Sequence, residues 1–278
     1  MASLCRHPNT THGMSTSCRA NEERAPMRLL LTNDDGIFAK GIEAMYLALV
    51  QEHDVTVVAP ETEQSAVGHA ITFLDPLRVK AVRRNGCFFG YALNGTPADC
   101  VKIAITELME PPPQAVVSGI NMGANVGVNV IYSGTVSAAT EAAVLGVPSI
   151  AVSIDSFDTS DFSAATECVP RLLRIIERQG LPPGVSLNVN VPSLPADRIS
   201  GVRITHQGKM RCVEAYDRRQ DPRSNVYYWL RNSAVVPDHN PDADSMALEN
   251  GYISVTPIQH DLTRYDMLAT LSTWDLSS

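Results

Sequence analysis

Short apolar runs rich in Leu, Ile and Val alternate along this chain with segments whose apolar residues recur every three or four positions. The runs Arg28 to Thr32 and Asp54 to Ala59 have the length and composition of buried strands. Between them Ile42, Met45, Tyr46, Leu49 and Val50 mark one face of a helix. This order predicts a βαβ unit, whose crossover requires a parallel strand pair. Thr96-Pro97-Ala98-Asp99 has the signature of a helix start, with Thr as N-cap, Pro at the first position and Asp three residues after the cap. Val101, Ala104, Ile105 and Leu108 continue the helical spacing until Pro111 to Pro113 end it. Strands are expected at Ala115 to Ser118, Ser149 to Ser153 and Ser186 to Val191, and helices over Thr135 to Gly146 and Ala165 to Gln179. In the second helix Val169, Leu172, Leu173 and Ile176 share a face.

The repeated strand-then-helix order predicts an α/β fold, a Rossmann-like, doubly wound and mostly parallel sheet. Two stretches break the rhythm. Leu77 to Val82 and Cys87 to Leu93 bracket Arg83-Arg84-Asn85-Gly86, the pattern of an inserted β-hairpin closed by an Asn-Gly turn. After Pro195, strand-like pieces at Gly201 to Thr205, Val226 to Leu230 and Tyr252 to Thr256 are separated by polar loops, and read as an antiparallel extension or oligomerisation arm. The expected organisation is a disordered polar opening over 1–26, a catalytic domain over 27–195 and a C-terminal extension over 196–278, with Met27 an alternative start.

Composition narrows the function. A net charge of -8 over 278 residues argues against a nucleic-acid polymer as partner, since backbone neutralisation calls for surplus Lys and Arg. No apolar run approaches the ~20 residues that span a bilayer, so no membrane partner is expected. The six cysteines are scattered, without a CxxC pair, which fits reduced thiols and a cytoplasmic location.

Ligands of an open parallel sheet bind beyond the carboxyl ends of its strands, where this chain places its unusual residues. Asn33-Asp34-Asp35-Gly36 ends the first strand, Gln64-Ser65 follows the second, and Ser118-Gly119-Ile120-Asn121 ends a third before running on to Asn125. Neighbouring side chains on a strand point to opposite faces, so Asp34 and Asp35 share a site only if the backbone turns, which Gly36 makes cheap. Close carboxylates repel unless a cation intervenes. With the Asn121 amide and the Ser65 hydroxyl, they form an oxygen-only set suited to one Mg²⁺ or Mn²⁺ per protomer. Tyr132-Ser133-Gly134-Thr135 opens the Ala-rich helix, where free N–H groups and hydroxyls make an anion site, and Asn125 adds an amide donor. A cation opposite an anion cradle is the requirement of phosphate-ester hydrolysis. Each piece alone has a plainer reading: a surface turn, a helix cap, an Asn tolerating left-handed backbone; His69 and His206 read as surface or hinge residues. Their convergence at strand ends makes the case.

So assembled, the chain resembles the SurE family, the stationary-phase survival nucleotidases. The likeness rests on "MRLLLTNDDGIFAKGIEAM", "VVAPETEQSAVGHAIT", "NGTPADCVKIAI", "VVSGINMGANVGVNVIYSGTVSAATEAAVLGVPSIAVS" and "LNVNVP", and runs from Met27 almost to the end. The resemblance implies a metal-dependent phosphatase acting on nucleoside 5′- and 3′-monophosphates, in some members also on short polyphosphate. It implies metal ligands at Asp34, Asp35, Ser65 and Asn121, phosphate contacts at Asn125, Ser133, Gly134 and Thr135, and a C-terminal extension exchanged in homodimers or homotetramers. Glu63-Gln64-Ser65-Ala66 departs from the family, which often has a basic residue and a Ser-Gly pair there. Asp34 is assigned as the acceptor of the attacking water's proton as well as a metal ligand, and Asp35 as a charge-stabilising group. A dinucleotide-dependent oxidoreductase is disfavoured, because two acids replace the G-x-G-x-x-G turn. An aspartyl-phosphate route through Asp34 and a nucleotide-binding module without turnover remain as alternatives.

Overall fold

The structure, a computed structural model, describes residues 25–276, so most of the opening segment expected to be disordered, with Cys5 and Cys18, lies outside the described residues. Its centre is a nine-stranded sheet in the order β3-β4-β2-β1-β5-β6-β7-β11-β8. Here β1 is Arg28–Thr32, β2 Asp54–Pro60, β3 Val79–Arg84, β4 Cys87–Leu93, β5 Ala115–Met122, β6 Ser149–Ile154, β7 Val185–Val191, β8 Gly201–Ile204 and β11 Tyr252–Gln259. Strands β4, β2, β1, β5, β6 and β7 pair parallel. The chain builds outward from β1 to one side through β2 and to the other through β5, so the topological switch point lies between β1 and β5.

Strand period explains the two layers. Leu29 and Leu31 point to the face covered by α1 (Lys40–Leu49) and α4 (Ser163–Gln179), where Ile42, Met45, Leu49, Val169, Leu173 and Ile176 are buried. Leu30 points to the opposite face with Val58 and Val116, covered by α2 (Pro97–Ile103) and α3 (Gly134–Val144). Each of the large side chains so buried contributes ~1.5–3 kcal/mol. Val50 falls just past the end of α1 and is exposed, so the predicted apolar face is one residue too long.

The capping box forms as predicted, Asp99 N donating to Thr96 Oγ1 at 3.1 Å and Thr96 N to Asp99 Oδ2 at 2.9 Å. The helix then widens into a π-turn over Ala104–Leu108 instead of continuing regularly. The predicted hairpin is β3 and β4, joined by Asn85 and Gly86 at φ 50° and 81°, both in the left-handed region that a two-residue turn demands. It is part of the main sheet, since β4 pairs parallel with β2.

The segment after Pro195 divides. Two of the three pieces read from sequence as an antiparallel appendage extend the main sheet: β11 pairs antiparallel with β7, and β8 pairs parallel with β11. Their alternation of apolar residues suits a sheet edge as well as a free arm, which is why the sequence pattern did not separate the two. The third piece becomes β10 (Val226–Val236), which forms a separate two-stranded antiparallel ribbon with β9 (Arg211–Gln220). No helix among the described residues is long and apolar enough to cross a membrane, and Cys87, Cys100, Cys168 and Cys212 are unpaired thiols.

Candidate active site

The switch point between β1 and β5 opens into a cavity of about 260 Å³ whose walls include Asp34, Ser65, Asn121, Asn125 and Ser133. Asp34 is buried at the end of β1, and Gly36 takes φ +92°, the turn that lets two successive carboxylates stay near one site. Asp34 accepts a short hydrogen bond from Thr135 Oγ1. Asp35 lies on the β5 side, its Oδ2 accepting from Met122 N at 3.4 Å.

Strand β5 runs past the predicted end at Ser118 to Met122 because of a bulge. Ser118 pairs with Ala151 and Asn121 with Ser153, so β5 spends one more residue than β6 over that interval. Gly119 sits inside it at φ +136°, where a Cβ would meet Val152 O at 2.3 Å. The bulge carries Asn121 to the cavity wall. Asn121 Nδ2 donates to Gly123 O at 2.7 Å, leaving the carbonyl oxygen as the coordinating end.

Helix α3 starts against Asp34. Ser133 caps it, Oγ accepting from Val136 N at 3.1 Å, and the first-turn N–H groups face the acids. Gly134 packs so tightly on Asp34 that an added Cβ would sit 2.8 Å from Asp34 Cβ. Thr135 is fully buried and directs its hydroxyl to Asp34 rather than lining the cavity.

Asn125 is held by residues that carry no role in the reading from sequence. Its N donates to Asn190 Oδ1 at 2.7 Å, and its O accepts from Asn188 Nδ2 at 2.8 Å and Asn190 Nδ2 at 3.1 Å. Its own Nδ2 donates to Ser153 Oγ at 2.8 Å. The signal was present in Asn188-Val189-Asn190: period 2 puts both carboxamides on one face at the end of a buried strand.

Burial raises the pKa of Asp34, against the lowering by Thr135, and burial followed by the Asp34 charge pushes Asp35 up to about 6. Glu63, also missed from sequence as a site residue, adds negative charge to both and accepts from Ser65 Oγ at 2.5 Å. None of the described residues lining the cavity is Lys, Arg or His. Among the described residues no trio of His, Cys, Asp or Glu side chains gathers for a metal. Uncompensated carboxylates beside neutral oxygen donors therefore fit a hard divalent cation that keeps water in its shell, and do not fit zinc.

The sequence model described as Survival protein SurE matches residues 29–214. A relative from Syntrophobacter fumaroxidans called 5′-nucleotidase SurE is 74% identical over 90% of this chain and 100% of its own. One of the same name from Syntrophus aciditrophicus is 54% identical over 87% of this chain and 91% of its own. The crystal structure of the SurE protein from Aquifex aeolicus superposes with a TM-score of 0.77 at 37% identity, covering 88% of this chain and 98% of that one. With the family model matching residues 29–214 and relatives of 74% and 54% identity over most of its length, the protein belongs to the SurE family.

Proposed function

We propose that this protein is a metal-dependent phosphomonoesterase, a 5′/3′-nucleotidase that hydrolyses nucleoside monophosphates and accepts short polyphosphate as a further substrate. The observation that carries the reading is one cavity lined by the buried Asp34 carboxylate, Ser65, Asn121, Asn125 and Ser133, with the N-terminus of α3 packed directly against Asp34. The 5′-nucleotidase name of the relatives supports a nucleotide substrate.

Asp34, Asp35, Ser65 and Asn121 would hold the cation through oxygens. When bound, it supplies Lewis acidity toward a phosphoryl oxygen and toward attacking water. The chain's own groups do the rest. Ser133, Gly134 and Asn125 hold and orient the phosphoryl group. Thr135 fixes the Asp34 carboxylate from behind and Gly134 lets the helix approach it. Asp34 is buried and lines the cavity, so its carboxylate is placed to take the proton of a water attacking in line. Asp35 stabilises positive charge gathered at the site.

The reading includes self-association. The ribbon β9–β10 exposes Tyr216, Tyr228, Trp229 and Leu230, apolar area suited to a homodimer or homotetramer contact. Unpaired thiols support a cytoplasmic location.

The test is phosphate release from 5′- and 3′-nucleoside monophosphates with Mn²⁺, with Mg²⁺ and after chelation. Release that needs the metal is expected; nucleotide binding without release under every condition would replace the enzyme with a binding module.

A further inference from the structure

Ser65 lies on the loop 61–78 between β2 and β3, is exposed, and donates to Glu63 of the same loop. Such a local bond does not place the loop over Asp34. Its attachments to the rest of the fold do. On one side of Ser65, Gln64 N donates to Asp34 O at 2.8 Å. On the other, Gly68 N donates to Tyr132 O at 3.0 Å, and His69 Nε2 lies 2.7 Å from Glu141 Oε2. Further along, Ala70 O accepts from Thr96 Oγ1 at 2.7 Å, and Thr72 donates to the Asp99 carboxylate.

The His69 contact is the one that reaches the phosphate-binding helix through a charged group. Glu141 is on α3, its side chain 7% exposed, and its second oxygen takes Lys102 Nζ from α2 at 2.7 Å. Hydrogen bonding from His69, ahead of Lys102, holds the Glu141 carboxyl below the ordinary carboxylate range. The same helix begins with Ser133 to Thr135, so one rigid element is tied at its start to Asp34 and two turns later to the loop that carries Ser65. Between the ties, Ala66 and Gly68 take φ 58° and 57°. Left-handed residues let the loop reverse but do not hold it by themselves.

We infer that His69 is a positioning residue of the cation site: its bond to Glu141 keeps the loop seated so that the Ser65 hydroxyl stays over the paired carboxylates. The inference rests on the reading of Ser65 as a cation ligand, and adds a residue that touches neither cation nor substrate. Removing the imidazole leaves Glu141 paired with Lys102, so no buried charge is stranded and the fold is expected to persist.

The experiment is calorimetric titration of Mn²⁺ into the full chain for the wild type, Ser65→Ala, His69→Ala, His69→Gln and Ser65→Ala/His69→Ala. Supporting partners of metal ligands are worth about 10-fold in affinity at the low end, and both alanine variants are expected to lose about that much. His69→Gln keeps an N–H for Glu141 and should recover most of the loss. The double variant should bind Mn²⁺ no more weakly than Ser65→Ala, because the two act through one contact. Glu141→Gln weakens the same bond from the other side without truncation, and is expected to bind Mn²⁺ about threefold more weakly if the effect runs through this pair. Phosphate release by His69→Ala should return at saturating Mn²⁺, an outcome a general loss of structure would not give. If Ser65→Ala weakens Mn²⁺ binding while His69→Ala and Glu141→Gln do not, the inference is overturned and the nucleotidase reading stands. Additive losses in the double variant also overturn it. If Ser65→Ala itself binds Mn²⁺ normally, the ligand assignment falls and takes the inference with it.

Discussion

Replacing Gly134 with alanine tests the contact between the anion cradle and the acid wall. The new methyl would sit 2.8 Å from Asp34 Cβ, 3.0 Å from Asp34 Oδ2 and 3.2 Å from Pro97 Cγ. Two carbons prefer roughly 3.5 Å or more, so Asp34 would have to retreat by about 0.7 Å. It is poorly free to do so, being buried, bonded to Thr135 and tied through its carbonyl to Gln64 N at 2.8 Å. Overpacking of this kind costs about 1–3 kcal/mol, offset by up to ~1 kcal/mol from the better helix propensity of alanine. The melting temperature should therefore fall by only a few degrees, at roughly 2–4 °C per kcal/mol for a chain this long. Activity should suffer far more. A carboxylate displaced by close to 1 Å costs about 100-fold in turnover. Steady-state phosphate release and thermal melts on the same preparation measure both. A Gly134→Ala enzyme with wild-type turnover would refute the argument that α3 abuts the catalytic acid.

Three further outcomes are expected. Asp34 and Asp35 have folded-state pKa values raised from 3.8, Asp35 to about 6, so the metal-free fold is most stable when they hold protons. Its stability should drop as pH rises from about 4 through 6, and the rise in melting temperature on adding Mn²⁺ should grow over the same range; a metal shift equal at pH 5 and 7.5 would count against the paired acids as ligands. Ala66→Gly relieves a left-handed alanine at φ 58°, worth ~1–2 kcal/mol, but loosens the unfolded chain by a comparable ~0.4–1 kcal/mol. Melting temperature should hold or rise, and a clear fall would show the strain to be absent. Asn190→Ala strips two hydrogen bonds from the Asn125 backbone at a buried site and should cost ~1–3 kcal/mol while raising KM more than it lowers kcat. Melts and substrate titrations read both quantities, and an unchanged KM would release Asn125 from its role.

How much of this was legible in the sequence depended on whether the signal was local. The Thr96 capping box and the Asn85-Gly86 turn are written in three or four consecutive residues, and both formed as spaced. Strand ends in an open parallel sheet converge, which is why Asp34, Ser65, Asn121, Asn125 and Ser133 could be grouped from sequence; they line one cavity, while Asp35 lies outside its lining. What stayed hidden was non-local. Nothing in Gly201 to Ile204 or Tyr252 to Thr256 tells whether a strand joins the main sheet or a separate arm; pairing with β7 decides it. The β5 bulge depends on Gly119 meeting the backbone of β6, a neighbour 33 residues further on. The Asn188/Asn190 pair acts through contacts with Asn125 more than 60 residues away, Glu63 through its charge on acids at the end of another strand, and His69 looked like a surface residue until Glu141 appeared beside it.

The most direct measurement of the central claim is phosphate release from a nucleoside 5′-monophosphate by the wild type and Asp34→Asn across a Mn²⁺ titration, with melting followed in parallel. The account predicts metal-dependent release in the wild type and a loss of more than about 100-fold in a variant that still melts cooperatively. A well-folded Asp34→Asn enzyme that releases phosphate at the wild-type rate, or wild-type release that survives chelation, would contradict it.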